Sequence, residues 1–140
     1  MLYLLDTDHI SLLQRNHANL IARLKLVPLA QRVVCVVSLS EQLQGRLANI
    51  HRAKAEAEAT FGFRQLLETV EFYRALPILP YDATAVSHYQ HLRRQKLRIG
   101  TQDLRIAAIA LSQRAKVVTR NRRDFEQVPG LVVEDWSQPL

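Results

Sequence analysis

Three carboxylates lie at the ends of segments that read as strands or helices. Asp6 directly follows the apolar residues 2–5, Glu41 comes shortly after the apolar residues 33–37, and Asp103 opens an apolar helix. In an open α/β sheet the carboxyl ends of parallel strands form the crevice where ligands bind. Acids gathered there repel one another unless a cation compensates them, and a ligand set made only of oxygens suits Mg²⁺ or Mn²⁺ and not zinc. The sequence therefore predicts a divalent-metal site.

Each of these acids also has a structural explanation when it is taken alone. Ser38-Leu39-Ser40-Glu41 matches a capping box, in which the glutamate folds back onto the first amide of a helix. Asp6 is suited to cap the first helix, and Asp103 to favour the start of its own helix through the helix dipole. Their joint placement at strand ends is what favours the metal site.

Short apolar runs alternate with helical patterns along the chain, which is typical of a parallel sheet covered by helices. Residues 33–37 are five consecutive apolar residues, as expected of an interior strand. Residues 101–114 are apolar on nearly every face, so that helix is expected to be buried. The remaining predicted strands are residues 2–5, 77–79, 116–119 and an edge strand at 131–133; the remaining predicted helices are residues 8–15, 17–26, a helix from about 40, a long segment at 51–73 that Gly62 is expected to bend or break, and 84–96.

The composition bounds the class of protein. A chain of 140 residues fits a single domain, residues 1–140, and 48% hydrophobic content excludes a disordered chain. No apolar stretch approaches the roughly 18 residues of a membrane helix, and the N-terminus does not resemble a signal peptide. Cys35 is the single cysteine, lies in an apolar run and is expected to be a buried hydrophobic residue. A cytoplasmic protein without membrane association is predicted.

The charge indicates a polyanionic partner. The net charge is +6, and arginines and lysines cluster in HLRRQKLRIG and SQRAKVVTRNRR, close to Asp103 and Asn121. A solvated face explains either cluster alone equally well.

Other chemistries have weaker support. The sequence has no GxGxxG, Walker A or GxSxG motif. His88 and His91 are spaced for one helix face, but no further histidine or cysteine completes a zinc site. LLDTDHI resembles the start of haloacid-dehalogenase-like phosphatases, but Ile10 and the lack of a later lysine and acidic pair argue against that class.

Four blocks of the sequence resemble those of PIN-domain ribonucleases, and in particular the VapC-type toxins of bacterial toxin–antitoxin pairs. The likeness spans nearly the whole chain, and the blocks are LLDTDHIS, SLSEQLQG, IGTQDLRIAAIAL and VVTRNRRDFEQVPGLVVEDW. The resemblance implies a PIN-like, three-layer α/β/α fold around a central, mostly parallel twisted sheet of four or five strands.

The resemblance also implies roles for individual residues. Asp6, Glu41 and Asp103 match the family's principal metal-binding acids. Asn121 fits the place where the family often has a further acid or amide, and because an amide adds no negative charge, a second metal is expected to bind less firmly than in the fully acidic version. Asp124, three residues on, is an alternative for that place. The expected catalytic residues are Asp6, Glu41, Asp103 and Asn121; the expected substrate-binding residues are Thr7, Thr119, Arg98, Arg120 and Arg122.

The function that the resemblance implies is Mg²⁺- or Mn²⁺-dependent cleavage of RNA, with a structured RNA such as tRNA or rRNA as the expected substrate. The expected partners are that RNA, a cognate antitoxin and a second copy of the chain in a homodimer. The alternative is a catalytically degenerate PIN domain that binds RNA or a partner, with Asn121 as the sign of lost activity.

Overall fold

The computed structural model describes all 140 residues and contains a five-stranded parallel sheet. The strands lie in the order β3-β2-β1-β4-β5, and every neighbouring pair is parallel. Their bounds are β1 (Tyr3–Leu5), β2 (Arg32–Cys35), β3 (Ile78–Leu79), β4 (Lys116–Val118) and β5 (Val133–Glu134).

Seven helices connect and flank these strands. None of them combines the length and the apolar character needed to cross a lipid bilayer. Their bounds are α1 (Thr7–Gln14), α2 (Ala18–Lys25), α3 (Val36–Arg52), α4 (Glu56–Arg74), α5 (Ala83–Arg94), α6 (Thr101–Gln113) and α7 (Arg122–Phe125).

Side chains alternate between the two faces of the sheet, and this alternation produces three layers. In β1, Leu4 packs into one apolar cluster with α5 and α6, whereas Leu5 packs into a second cluster with α1 and α2. Val117 and Val118 of β4 divide in the same way. The predicted α/β/α fold with a central parallel sheet is confirmed.

The second strand ends earlier than its apolar run suggested. Residues 33–37 were predicted as strand with a helix from about Ser40, but β2 ends at Cys35 and α3 begins at Val36. A buried strand and the first turn of a buried helix have the same apolar pattern, so periodicity does not separate them. Ser38 therefore lies inside α3, whose N-cap, Cys35, makes no side-chain capping bond. The capping box proposed for Glu41 is wrong.

The predicted long helix at 51–73 is also two elements, because the chain turns at residues 53–55 between α3 and α4. Gly62 does not break α4. It is buried where α4 packs against α3, and a Cβ atom built on it would lie 2.9 Å from Cγ1 of Ile50. This glycine is therefore needed for the close approach of the helix that carries Glu41.

Two glycine substitutions test that requirement. We expect Gly45→Ala, on α3 with nothing within 4 Å of the added atom, to stabilise the protein by about 0.5–1 kcal/mol through helix propensity. We expect Gly62→Ala to destabilise it by about 1 kcal/mol, because overpacking against Ile50 outweighs the same gain. Urea unfolding measures both, and equal stabilisation by the two substitutions would show that the helices do not need this close contact.

Candidate active site

Asp6 lies at the carboxyl end of the central strand β1 and is only 5% exposed. It caps α1: its Oδ1 accepts a hydrogen bond from the backbone amide of His9 at 2.8 Å. Its Oδ2 accepts from the hydroxyl of Thr119, which follows β4, at 2.5 Å. Burial raises the pKa of Asp6 to about 7, although both hydrogen bonds act in the opposite direction. Asp6 is thus the predicted helix cap. It is also an acid whose ionisation in the folded protein costs free energy because it is buried.

Thr119 connects Asp6 to the residues of α6 and α7. Its Oγ1 accepts from the backbone amide of Asn121 at 2.9 Å. The Asn121 side chain then donates through Nδ2 to Asp124 Oδ2 at 2.9 Å, and more weakly to Asp103 Oδ2 at 3.4 Å. Asn121 therefore joins two carboxylates as a hydrogen-bond donor, which a carboxylate in the same place could not do.

Glu41 reaches the same edge of the sheet from the second turn of α3. The hydroxyl of Thr7, the first residue of α1, donates to Glu41 Oε1 at 2.8 Å. Thr7 Oγ1 also lies 3.0 Å from Oγ of the buried Ser38. Glu41 does not fold back onto the start of its own helix. Its carboxylate instead points to α1, where Thr7 contacts it.

The acids affect one another electrostatically. Partial burial raises the pKa of Asp103, and the charges of Glu41 and Asp124 raise it further. The charges of Asp8 and Asp103 add to the raised pKa of Asp6. Asp103 is thus coupled electrostatically to both other predicted metal-binding acids, to Asp6 and to Glu41.

No lysine or arginine forms an ion pair with Asp6, Glu41 or Asp103. The ion pairs of lysine and arginine in the structure are Lys116–Glu134, Arg120–Asp8 and Arg122–Glu126. The uncompensated set of carboxylate oxygens fits a hard divalent cation, because such a cation prefers oxygen ligands and removes their repulsion.

The group of three potential ligands whose ligand atoms all lie within 4.8 Å of one another is Asp6, Asp8 and His9, and it includes neither Glu41 nor Asp103. His9 is fully buried, and its Nε2 accepts a hydrogen bond from the backbone amide of Trp136 at 3.2 Å. That bond places the proton of the neutral ring on Nδ1, which lies 3.6 Å from Asp6 Oδ1 and has no hydrogen-bond partner. A protonated Nδ1 does not bind a metal, so His9 does not complete a site in this arrangement.

His9 is also uncharged near neutral pH, because burial lowers its pKa to about 4. Its contact with Asp6 is consequently a polar contact and not an ion pair. No local sequence pattern indicates the bond between His9 and Trp136, because the two residues are 127 positions apart.

The arginines chosen from the sequence lie in different surroundings from those expected. Arg120 is exposed and forms two hydrogen bonds with the Asp8 carboxylate, both of 2.7 Å. Arg122 pairs with Glu126 on α7 at 2.7 Å. Arg98 is exposed, and its backbone amide donates to Gln127. Two of the three guanidinium groups are therefore already neutralised by a neighbouring acid.

Comparison with known proteins assigns the family. The PIN domain model matches residues 3–131. The chain belongs to the PIN domain family. That match includes Asp6, Glu41, Asp103 and Asn121 and ends before β5 and Trp136.

Curated relatives of this PIN domain are VapC proteins. The tRNA(fMet)-specific endonuclease VapC of Shigella flexneri is 40% identical over 78 residues, which are 53% of this chain and 59% of that protein. The aligned part is thus less than two thirds of that relative. Ribonuclease VapC1 of Haemophilus influenzae strain R2866 is 27% identical over 99% of this chain and 100% of its own length.

Solved structures show the same fold. The DNA-bound VapBC crystal structure from Salmonella typhimurium superposes with a TM-score of 0.79 at 29% identity, and covers 97% of this chain and 99% of that one. The PIN-like architecture that the resemblance implied is therefore shared with a chain of this VapBC complex.

The bond between Thr119 and Asp6 makes a pH-dependent contribution to stability that a substitution reveals. This bond favours the ionised carboxylate, so its full value is present only above the folded pKa of about 7. In the presence of a chelator that removes divalent metals, we expect Thr119→Val to lower the free energy of unfolding by about 1.5–3 kcal/mol at pH 9. This is the usual contribution of a hydrogen bond to a charged group. The deficit should shrink as the pH falls through 7, because Asp6 becomes protonated.

Thr119→Ser is the matched control, because it keeps the hydroxyl and loses only a buried methyl group. Its deficit should not vary with pH. If Thr119→Val shows an equally pH-independent deficit in urea unfolding, the hydroxyl does not support the ionised form of Asp6.

Proposed function

We propose that this chain is a divalent-metal-dependent endoribonuclease that hydrolyses phosphodiester bonds, with Mg²⁺ or Mn²⁺ held by Asp6, Glu41 and Asp103. The observation that carries the proposal is the buried Asp6, whose pKa is raised to about 7 and which, like Asp103 and Glu41, forms no ion pair with a lysine or arginine. A bound cation would lower the pKa of a coordinated water and neutralise charge on the leaving oxygen.

The chain's own residues fix the geometry that this chemistry needs. Thr119 and the His9 amide hold the two oxygens of Asp6. Asn121 contacts one oxygen of Asp103, and Thr7 holds Oε1 of Glu41. Oε2 of Glu41 has no hydrogen-bond partner within the protein, so we assign to it either cation binding or acceptance of a proton from the attacking water.

Names of relatives support the choice of RNA as the substrate, since those relatives are called ribonucleases or a tRNA(fMet)-specific endonuclease. We further propose that the chain is a single PIN-like domain and the toxin of a toxin–antitoxin pair. It would act in the cytoplasm as a homodimer that a cognate antitoxin controls. Its similarity to a chain of the DNA-bound VapBC structure from Salmonella typhimurium supports this role. A structured RNA such as tRNA or rRNA is the proposed target.

The degenerate alternative is not favoured. Asn121 is a departure from the acidic version of the site, but it makes hydrogen bonds to Asp103 and Asp124 and so has a defined role. All three principal acids are present and lie at the same edge of the sheet.

Cleavage assays with labelled RNA test the proposal. We expect cleavage in Mg²⁺ or Mn²⁺ and none in EDTA. Asp6→Asn and Asp103→Asn should each reduce the rate by more than the 10–100-fold that is typical of residues that only support a metal ligand. Circular dichroism should show that both variants remain folded.

Asp82→Asn provides a matched control, because Asp82 caps α5 as Asp6 caps α1 and asparagine is an equally good cap. It should cleave at the wild-type rate. Wild-type rates in Asp6→Asn and Asp103→Asn would refute the metal site, and RNA binding without cleavage in either metal would support the binding-module alternative.

A further inference from the structure

Most arginines of the chain form no ion pair, and two of those outside the expected set line one cavity. Arg93 on α5 and Arg105 on α6 take part in none of the ion pairs, in contrast to Arg120 and Arg122. An arginine without a carboxylate partner keeps its charge available for an anionic ligand.

Both arginines line one cavity between α5 and α6. The cavity has a volume of about 360 Å³, and no aspartate or glutamate lines it. Its other lining residues include Tyr89, Leu97 and Thr101. A cavity with two guanidinium groups and no acid attracts an anion, and its apolar wall is suited to a ligand larger than a simple ion.

Arg105 is held in place by neutral groups. Its guanidinium carbon lies 5.4 Å from the centre of the Tyr89 ring and 5.9 Å from that of Tyr81. Its Nη1 donates to Gln102 Oε1 at 2.7 Å. The two rings and the amide restrict the side chain without neutralising its charge, so little further ordering is needed when it binds a ligand.

The cavity and the proposed metal site share the first turn of α6. Thr101 and Leu104 line the cavity, and both belong to the first turn of α6, which also carries Asp103. A polymer bound at Asp103 can therefore continue past the start of α6 into the cavity.

We propose that this cavity binds a backbone phosphate of the RNA strand, at a nucleotide next to the one that is cut, through Arg93 and Arg105. This inference rests on the proposed ribonuclease function and extends it to residues outside the metal site. The planar guanidinium group binds phosphate oxygens in pairs, which fits this ligand.

The salt dependence of RNA binding tests the proposal. Binding of a short fluorescent single-stranded oligoribonucleotide is measured by anisotropy in EDTA, across a series of salt concentrations. Each lost phosphate contact should reduce the slope of log K against log salt by about 0.7 for a single strand. We expect this reduction for both Arg93→Gln and Arg105→Gln, together with several-fold weaker binding at low salt.

Arg64→Gln is the matched control. Arg64 also lies over an aromatic ring, at 5.6 Å from the centre of Phe61, but it is exposed on α4 and does not line the cavity. It should leave the slope unchanged. Arg93 is exposed on a helix surface, so Arg93→Gln keeps the test valid even if Arg105→Gln weakens the fold.

Slope changes in Arg93→Gln and Arg105→Gln that do not exceed that of Arg64→Gln would overturn the proposal, as would a wild-type protein that binds no RNA. Binding of an acidic peptide that is lost in both variants, while RNA binding is unchanged in them, would also overturn the proposal and would indicate a protein ligand. Because EDTA prevents metal-dependent cleavage, the ribonuclease proposal can fail in the cleavage assay while the phosphate contact is supported here.

Discussion

The repulsion between carboxylates at the carboxyl end of the sheet is the interaction on which the rest of the site depends. Asp6 is buried, and its pKa is raised to about 7; Asp103 is partly buried, and its pKa is raised by the charges of Glu41 and Asp124 as well as by burial. An ionised acid in such surroundings costs free energy in folding. Under the proposed function, a divalent cation bound between these acids removes that cost.

The fold brings these acids together because β1 lies between β2 and β4. Asp6 directly follows β1, Thr119 directly follows β4, and α3 begins directly after β2, so residues far apart in the sequence meet at one edge. Neutral donors then restrain the acids without neutralising them: Thr119 for Asp6, Thr7 for Glu41 and Asn121 for Asp103. Such donors orient a carboxylate and leave its charge available to a cation.

The sequence predicted the parallel sheet and its two helical layers, because apolar runs of strand length alternate with helical patterns. It also placed Asp6 as both helix cap and candidate ligand; the hydrogen bond from the His9 amide confirms the cap, and the ligand role stays a prediction. The start of α3 was misplaced because the run VVCVV suits a strand and a buried helical turn equally well.

Contacts between distant residues were out of reach of any local pattern. Examples are the amide of Trp136 on His9 and the pairing of Arg120 with Asp8. Because Arg120 pairs with Asp8, closeness in sequence to the active-site residues did not identify the arginines that lack an acidic partner.

The most direct test of the central claim is the stability of the protein as a function of Mg²⁺ concentration, measured by urea unfolding above pH 8. If the clustered acids bind a cation in the folded state only, stability should rise by about 1.4 kcal/mol for each tenfold increase in Mg²⁺ above its dissociation constant. Asp6→Asn and Asp103→Asn should lose this dependence, so that each variant is equally stable in EDTA and in Mg²⁺. A dependence that remains in both variants would indicate that another site binds the ion. A wild-type protein whose stability is the same in EDTA and in saturating Mg²⁺ would contradict the account.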